Sequence, residues 1–291
     1  MSLIKYQILL KTVELGGITK AAEALGYTQS AASRMIAALE QEWDMELLVR
    51  SRGGVRLSSA GETLLPYLRA VCGAHKELEE QVADLHGLTR GTLRVGTFTS
   101  VSIHWLPPIM KQFLQRYPGI RFELVSSWEF AEIEDMVHQG AVDCGFLGLP
   151  AGEGLDVIPL RQDRLLAVLP PDHPLAHAPC YPMERFVQDP YIRINEERDV
   201  EISRIFQDEG IHPNLQYTVN DDFAILSMVE QGLGVSILPE LVLQSSNRTF
   251  SAVPLEHPRS RQIGVAVRSG KPLSPLTTRF LEVVRQWTAA Q

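Results

Sequence analysis

Ile18-Thr19-Lys20-Ala21-Ala22-Glu23-Ala24-Leu25-Gly26-Tyr27-Thr28-Gln29-Ser30-Ala31-Ala32-Ser33-Arg34-Met35-Ile36-Ala37-Ala38-Leu39 is the stretch on which the reading of this chain turns. Ile18, Ala21, Ala22 and Leu25 stand at i, i+3, i+4 and i+7, which puts them on one face of a short helix. Thr19 is the expected N-cap, its hydroxyl able to accept from a free backbone N–H of the first turn. Gly26 then supplies the break, because a residue without Cβ tolerates the backbone that ends a helix. Ala32, Met35, Ile36 and Leu39 repeat the spacing, so a second amphipathic helix follows a tight turn, as in a helix-turn-helix. The opposite face of that second helix carries Ser30, Ser33, Arg34 and Ala37, with Gln29 at its start. A solvated face in an all-helical bundle would tend to carry Glu and Lys. This one is slim enough to enter a major groove, with an Arg suited to guanine and a Gln suited to adenine.

Downstream, two short β-prone runs between Leu47 and Leu57 flank Gly53-Gly54, a pair able to form a tight hairpin. Arg50, Arg52 and Arg56 around that hairpin are placed to sit beside phosphates or reach a minor groove, so the hairpin reads as a wing. A long helix then spans about 59–86. Along it, Leu64, Leu68, Val71, His75, Leu78, Val82 and Leu85 alternate in steps of four and three, a 3.5-residue repeat. Such a helix can pack on its own sensor domain, but a seam starting directly after a wing favours dimerisation. Two recognition helices would then read the half-sites of an interrupted palindrome in double-stranded DNA.

Net charge is −8, which by itself argues against a nucleic-acid partner. Residues 1–58 hold seven Lys/Arg against six Asp/Glu, a net +1, which leaves −9 for the remainder. The asymmetry has the right sign and is small, so one copy should attract phosphate weakly and affinity should depend on pairing several copies. Lys5, Lys11 and Glu14 interrupt the apolar N-terminus, and no run approaches a membrane span, so the expectation is a cytoplasmic protein without membrane attachment. Cys72, Cys144 and Cys180 are widely spaced and make no metal-ligand pattern, so no metal site is expected. Cys144 falls in an apolar run and reads as a buried strand residue.

Ala21-Ala22-Glu23-Ala24-Leu25, Thr28 to Arg34, Leu39-Glu40, Leu47-Leu48-Val49-Arg50 and Leu57-Ser58-Ser59-Ala60-Gly61 together resemble the LysR-type transcriptional regulators. Two residues depart from the usual pattern: Ser30 stands where many members have Pro, and Leu48 near a position where Phe is common. The resemblance implies a tetramer built as a dimer of dimers, contact with RNA polymerase when activating, and a C-terminal effector domain with the periplasmic-binding-protein fold.

The rest of the chain agrees with that fold class. After a short hinge at 87–91, strand-like runs at 92–97, 120–126 and 142–149 alternate with helix-like runs at 103–117 and 131–139. A second series follows at 165–169, 191–194, 200–208, 215–219, 222–231 and 235–238, and the chain closes with a strand at 262–267 and a helix at 275–287. Alternation of this kind argues for parallel sheet covered by helices. The expected layout is a winged helix-turn-helix at 1–58, a linker helix and hinge at 59–90, and a two-lobed α/β domain at 91–291. Lobe I takes about 91–161 plus 267–291, and lobe II about 162–266.

In open α/β sheets ligands bind at the carboxyl ends of strands. The first strand ends before Thr99, Ser100 and Ser102, whose hydroxyls lie at a helix start suited to a carboxylate or other anion, where the family also tends to bind effectors. Trp128 follows the second strand, Gly148 ends the third, and Arg193 and Asn195 end the strand of the second lobe; Arg193 is suited to a bidentate carboxylate contact. The expected partner is thus a small-molecule effector, such as a carboxylate or other anion, and no cofactor is expected. Two other classes share a two-lobed α/β fold, a solute-binding protein and an enzyme. Gly232-Leu233-Gly234 lacks the third glycine of a dinucleotide fingerprint and no nucleophile-elbow, zinc-protease or P-loop pattern occurs, so no catalytic residue is assigned.

Overall fold

A computed structural model describes residues 3–51, 54–85, 90–195, 200–244 and 249–291. The chain divides into two compact units, with the boundary at Leu88 and Thr89.

The first unit contains α1 (Leu3–Leu15), α2 (Ile18–Ala24), α3 (Gln29–Trp43), β1 (Leu48–Ser51), β2 (Gly54–Leu57) and α4 (Ser59–Leu85). Gly26 sits at φ +73° between α2 and α3, in the left-handed region that a side chain disfavours. Thr28 caps α3, its Oγ1 accepting from the Ala31 N–H at 3.2 Å. The other expected cap differs: α2 begins two residues earlier than read, so its N-cap is Gly17 and Thr19 lies inside the first turn. The periodic residues do face inward, with Ile8, Ala22, Ala32 and Ile36 forming one buried cluster.

A second cluster joins the helices to the wing. Tyr6, Leu9, Leu39, Leu47 and Leu68 are buried together, with Leu64 packed against them. Leu64 and Leu68 therefore belong to the core of their own unit, where they cover the far side of α1. Two polar devices fix this corner. Glu40 Oε1 accepts from the backbone N–H groups of Leu47 and Leu48 at 2.8 and 3.1 Å, tying the start of β1 to α3. Ser58 Oγ donates to the Glu46 carbonyl and accepts from the Gly61 N–H, capping α4. Gly61 lies so close to β1 that a Cβ there would stand 2.3 Å from the Leu47 carbonyl oxygen. β1 and β2 pair antiparallel from Leu48↔Leu57 to Ser51↔Gly54.

The second unit begins with β3 (Gly91–Thr97), α5 (Thr99–His104), α6 (Leu106–Arg116), β4 (Ile120–Ser126), α7 (Phe130–His138), β5 (Cys144–Leu149) and the long β6 (Leu155–Leu169). Next come β7 (Tyr191–Ile194), α8 (Val200–Asp208), β8 (Leu215–Val219), α9 (Asp222–Glu230), β9 (Ser236–Pro239) and α10 (Glu240–Leu243). The long β10 (Ser251–Arg268) and α11 (Pro275–Ala289) complete it. The helix expected over 103–117 is two helices meeting at buried Trp105, because Pro107 and Pro108 have no N–H to continue a helix and suit the first turn of a new one.

Strands are ordered β4-β3-β5-β10-β6-β9 in one sheet, with β7-β8 attached through the Tyr191–Val235 bridge. β3 runs parallel to β4 and β5, and β7 to β8. The sheet is mixed where parallel pairing was expected, since β10 runs antiparallel to both β5 and β6. β6 and β10 are each shared by the two lobes. Their halves Leu155–Asp163 and Arg261–Arg268 pair beside β5, while Leu166–Leu169 pairs with Ser251–Pro254 and Leu165–Val168 with β9. β10 has joined lobe I by Gln262, earlier than the return near 267 read from the apolar run. Lobe II has a core on each face of its strands: Tyr191 packs with Ile205 and Phe206 of α8, and Ile192 with Ile225 and Val229 of α9.

Candidate functional site

On α3, Gln29, Ser30, Arg34 and Ala37 are exposed and Ser33 is half-buried, so the face read as slim and polar is the outward one. The Thr28 and Ser30 hydroxyls lie 3.2 Å apart, and Arg34 Nε donates to the Ser30 carbonyl at 3.2 Å. Thr19 is exposed in the first turn of α2, and Arg56 on β2. Arg52 and the side chain of Arg50 lie outside the described residues. On α4, Val71, Leu78 and Val82 are 48%, 63% and 48% exposed, and Tyr67 beside them 69%. His75 is half-buried, and the side chain of Leu85 lies outside the described residues.

The second unit concentrates its polar chemistry where the two long strands pass between lobes. β3 ends at buried Thr97, and Ser100, in the first turn of α5, is 4% exposed. Its Oγ accepts from Arg261 Nη2 at 3.3 Å. Arg261 also donates through Nε and Nη2 to one oxygen of Asp163, at 2.9 and 2.8 Å. The other Asp163 oxygen accepts from the Leu241 N–H in the first turn of α10, at 2.9 Å. A single chain of bonds thus runs from lobe I, through β10 and β6, to lobe II. The Arg261 guanidinium also lies over the Phe98 ring, 5.3 Å from its centroid.

Two titratable groups border this clasp. Glu201, in the first turn of α8, is open to water yet hemmed in enough that desolvation raises its pKa above the usual carboxylate range; Arg261 pulls it down and Asp163 pushes it up. Desolvation lowers the His104 imidazole, against the opposing field of Asp163. Sequence reasoning missed Arg261, Asp163 and Glu201. The available signal was a charged residue set in each of the two strands that cross between lobes.

The remaining expected site residues distribute differently. Thr99 is exposed beside Ser100, while Ser102 Oγ donates back to Thr97 Oγ1 at 3.2 Å and serves the strand end. Trp128 is 64% exposed after β4. Gly148 makes room for a side chain of its own lobe: a Cβ there would meet the Phe130 ring at 2.5 Å. Asn195 is half-buried, its N–H donating to the Val219 carbonyl at 2.8 Å. Arg193 lines a cavity between α8, β7 and the start of β8, rather than the Ser100 clasp. It shares a face of β7 with Tyr191, two residues away, and that face looks onto α8. Among the described residues no group of three or more His, Cys, Asp or Glu is placed to hold a metal ion.

Residues 3–62 match the family model for the bacterial regulatory helix-turn-helix protein of the lysR family, and residues 86–289 match the LysR substrate binding domain. The chain belongs to the LysR family. This LysR-family regulator is 33% identical to the probable HTH-type transcriptional regulator LrrA of Synechococcus elongatus, over 98% of this chain and 97% of that one. Its fold is similar to that of full-length OxyR from Pseudomonas aeruginosa, with a TM-score of 0.78 at 21% identity over 99% of this chain and 94% of that one. The regulatory domain of Synechocystis CcmR, in complex with 2-PG, overlays 68% of this chain and 98% of that one at a TM-score of 0.64 and 23% identity. The chain is a DNA-binding transcriptional regulator, and a small-molecule effector bound to its C-terminal domain controls it. Its matched relatives are regulators, not enzymes. No helix among the described residues is long and apolar enough to cross a membrane.

Proposed function

We propose that an effector carrying a carboxylate or similar anion binds between the lobes at Ser100 and Arg261, and that it sets the angle at which paired α3 helices meet operator DNA. The observation that carries this reading is the clasp from Ser100 through Arg261 and Asp163 to Leu241, which couples both lobes to one guanidinium. A ligand that accepts from Arg261 competes with Asp163 for it and so acts on both lobes at once. Such a ligand shifts a population of lobe arrangements by its difference in affinity for them. The 2-PG bound by the CcmR regulatory domain supports a small polar effector for this fold.

On the DNA side the proposal assigns base-edge contacts to Gln29, Ser30, Ser33 and Arg34 of α3, and backbone contacts to Thr19, Arg50, Arg52 and Arg56. Exposed Val71, Leu78 and Val82 on α4 support self-association into a dimer, and the family resemblance extends this to a tetramer that engages RNA polymerase in the cytoplasm. The test is a thermal-shift panel of small organic acids on the full chain and on Ser100→Ala. Hits that depend on the clasp stabilise the variant less. Equal stabilisation of parent and variant by every hit would remove Ser100 from the site.

A further inference from the structure

The interlobe clasp is not a purely cationic site. Arg261 Nε and Nη2 are engaged by Asp163 and Ser100, while Nη1 has no acceptor among the described residues. The side chain carrying this spare donor is 10% exposed. Ser100 Oγ accepts from Arg261, so its own proton is available to donate. The Asp163 carboxylate already balances the guanidinium at 2.8 Å. Glu201, in the first turn of α8 in lobe II, brings a second carboxylate into the field of both groups. Its side chain is exposed, and it accepts no hydrogen bond among the described residues. Arg204, three residues along the same helix, is the other charge that reaches it.

Arg261 and Arg204 thus stand against Asp163 and Glu201, and the formal charges cancel. Such a site distinguishes two classes of carboxylate. A simple organic acid is attracted by Arg261, repelled by Asp163 and Glu201, and leaves Glu201 without a partner. A molecule that carries an ammonium as well engages both signs of charge. Its carboxylate accepts from Arg261 Nη1 and from the Ser100 hydroxyl, and its ammonium donates to Glu201. Both contacts are then charge-assisted, the stronger class of hydrogen bond. The orientation is fixed too, because an ammonium has donors only and finds no acceptor on a guanidinium. Ser100 belongs to lobe I and Glu201 to lobe II, so one small zwitterion spans the cleft.

We propose that the effector is a zwitterion of the amino-acid class, whose carboxylate meets Ser100 and Arg261 and whose ammonium meets Glu201; this rests on the effector site proposed at Ser100 and Arg261. The test is a thermal-shift screen of the full chain with each protein amino acid. Every hit, its N-acetyl derivative and the acid lacking the amine are then titrated by calorimetry. At least one amino acid should saturate the protein below about 10 mM, as expected for a ligand of this size. Its two amine-free counterparts should bind roughly tenfold more weakly or worse, the worth of one charge-assisted hydrogen bond. Glu201→Gln should erase that preference by weakening the amino acid alone, Glu201→Asp should keep part of it, and Ser100→Ala should weaken amino acid and plain acid together. Amino-acid binding should also strengthen as pH rises and Glu201 ionises beside Arg261, Asp163 and Arg204, the reverse of a plain acid. The proposal is overturned if no amino acid binds, if the N-acetyl derivative binds equally, or if the preference survives Glu201→Gln. Plain acids that bind in a Ser100-dependent way while no amino acid does would overturn it and leave the effector site standing. Amino-acid binding indifferent to Ser100→Ala would remove both. A melting temperature close to the parent's shows that a Glu201 variant is folded.

Discussion

Asp163→Ala is the perturbation that reports most directly on the interlobe clasp. The carboxylate accepts two bonds from Arg261 through one oxygen and the Leu241 N–H through the other. The Asp163 side chain is 5% exposed and that of Arg261 10%, so water replaces little of what is lost. Truncation leaves a nearly buried guanidinium with the Ser100 hydroxyl as its hydrogen-bond acceptor among the described residues. It also leaves a first-turn N–H of α10 without its partner. Breaking a buried pair by removing one member costs about 3–5 kcal/mol. Asp163→Asn keeps one acceptor and loses the charge, so its cost should be smaller, about 1.5–3 kcal/mol. Replacing both members together, as Asp163→Leu with Arg261→Met, should be close to neutral, because the penalty lies in the stranded charge more than in the lost attraction. The assay is urea unfolding of the full chain followed by tryptophan fluorescence; Trp105 and Trp287 both lie in the second unit, 6.2 Å apart. The reasoning is refuted if Asp163→Ala costs less than about 1 kcal/mol. It is refuted too if the two single truncations add to the double within about 0.5 kcal/mol, since coupled partners cannot be additive.

Leu68 is 4% exposed and Leu78 63%, so the two leucines of one heptad pattern should separate by experiment. Leu68→Ala should lower stability by about 2–5 kcal/mol in thermal unfolding. Leu78→Asp should weaken self-association in sedimentation while leaving the melting of the first unit in place. Gly61→Ala should cost about 1–3 kcal/mol, because the Cβ meets the Leu47 carbonyl oxygen at 2.3 Å. Gly73→Ala, on the same helix with nothing within 4 Å, should gain about 1 kcal/mol in the same melt. Glu201 has a pKa raised by desolvation, so the protein holds its proton more tightly folded than unfolded. Any stability this confers is present at acid pH and is lost as pH rises through the raised value. Over the same interval a negative charge appears in the cleft, so an anionic effector should bind more weakly as pH rises. Glu201→Gln should flatten that profile, and an unchanged pH profile in isothermal titration would take Glu201 out of the site.

The helix-turn-helix is legible because its information is local. Ala22, Ala32 and Ile36 are buried as their 3.6-residue spacing requires, and Gly26 adopts the positive φ its position called for. The same locality limits the reading. A cap residue at Thr19 or at Gly17 leaves the periodic pattern unchanged, so the pattern does not choose between them. A 3.5-residue repeat states that Leu64 to Val82 share a stripe, but not what covers it. Leu64 and Leu68 go to Tyr6 and Leu39, while Val71 and Leu78 stay open. Likewise, alternation in β7 puts Arg193 opposite Ile192 without naming the helix that covers either face.

What the sequence by itself determined is the helix-turn-helix with its wing, the alternation of strands and helices that follows it, and the outward face of the recognition helix, all properties of neighbours a few residues apart. What only the tertiary structure decided is which polar groups meet. Asp163 and Arg261 are 98 positions apart, and Ser100 is 161 from the arginine it accepts from. Composition and period carry no information on such pairs. They form because two long strands each serve both lobes, and a charge carried into that nearly dry crossing must find its counter-charge there or stay in water.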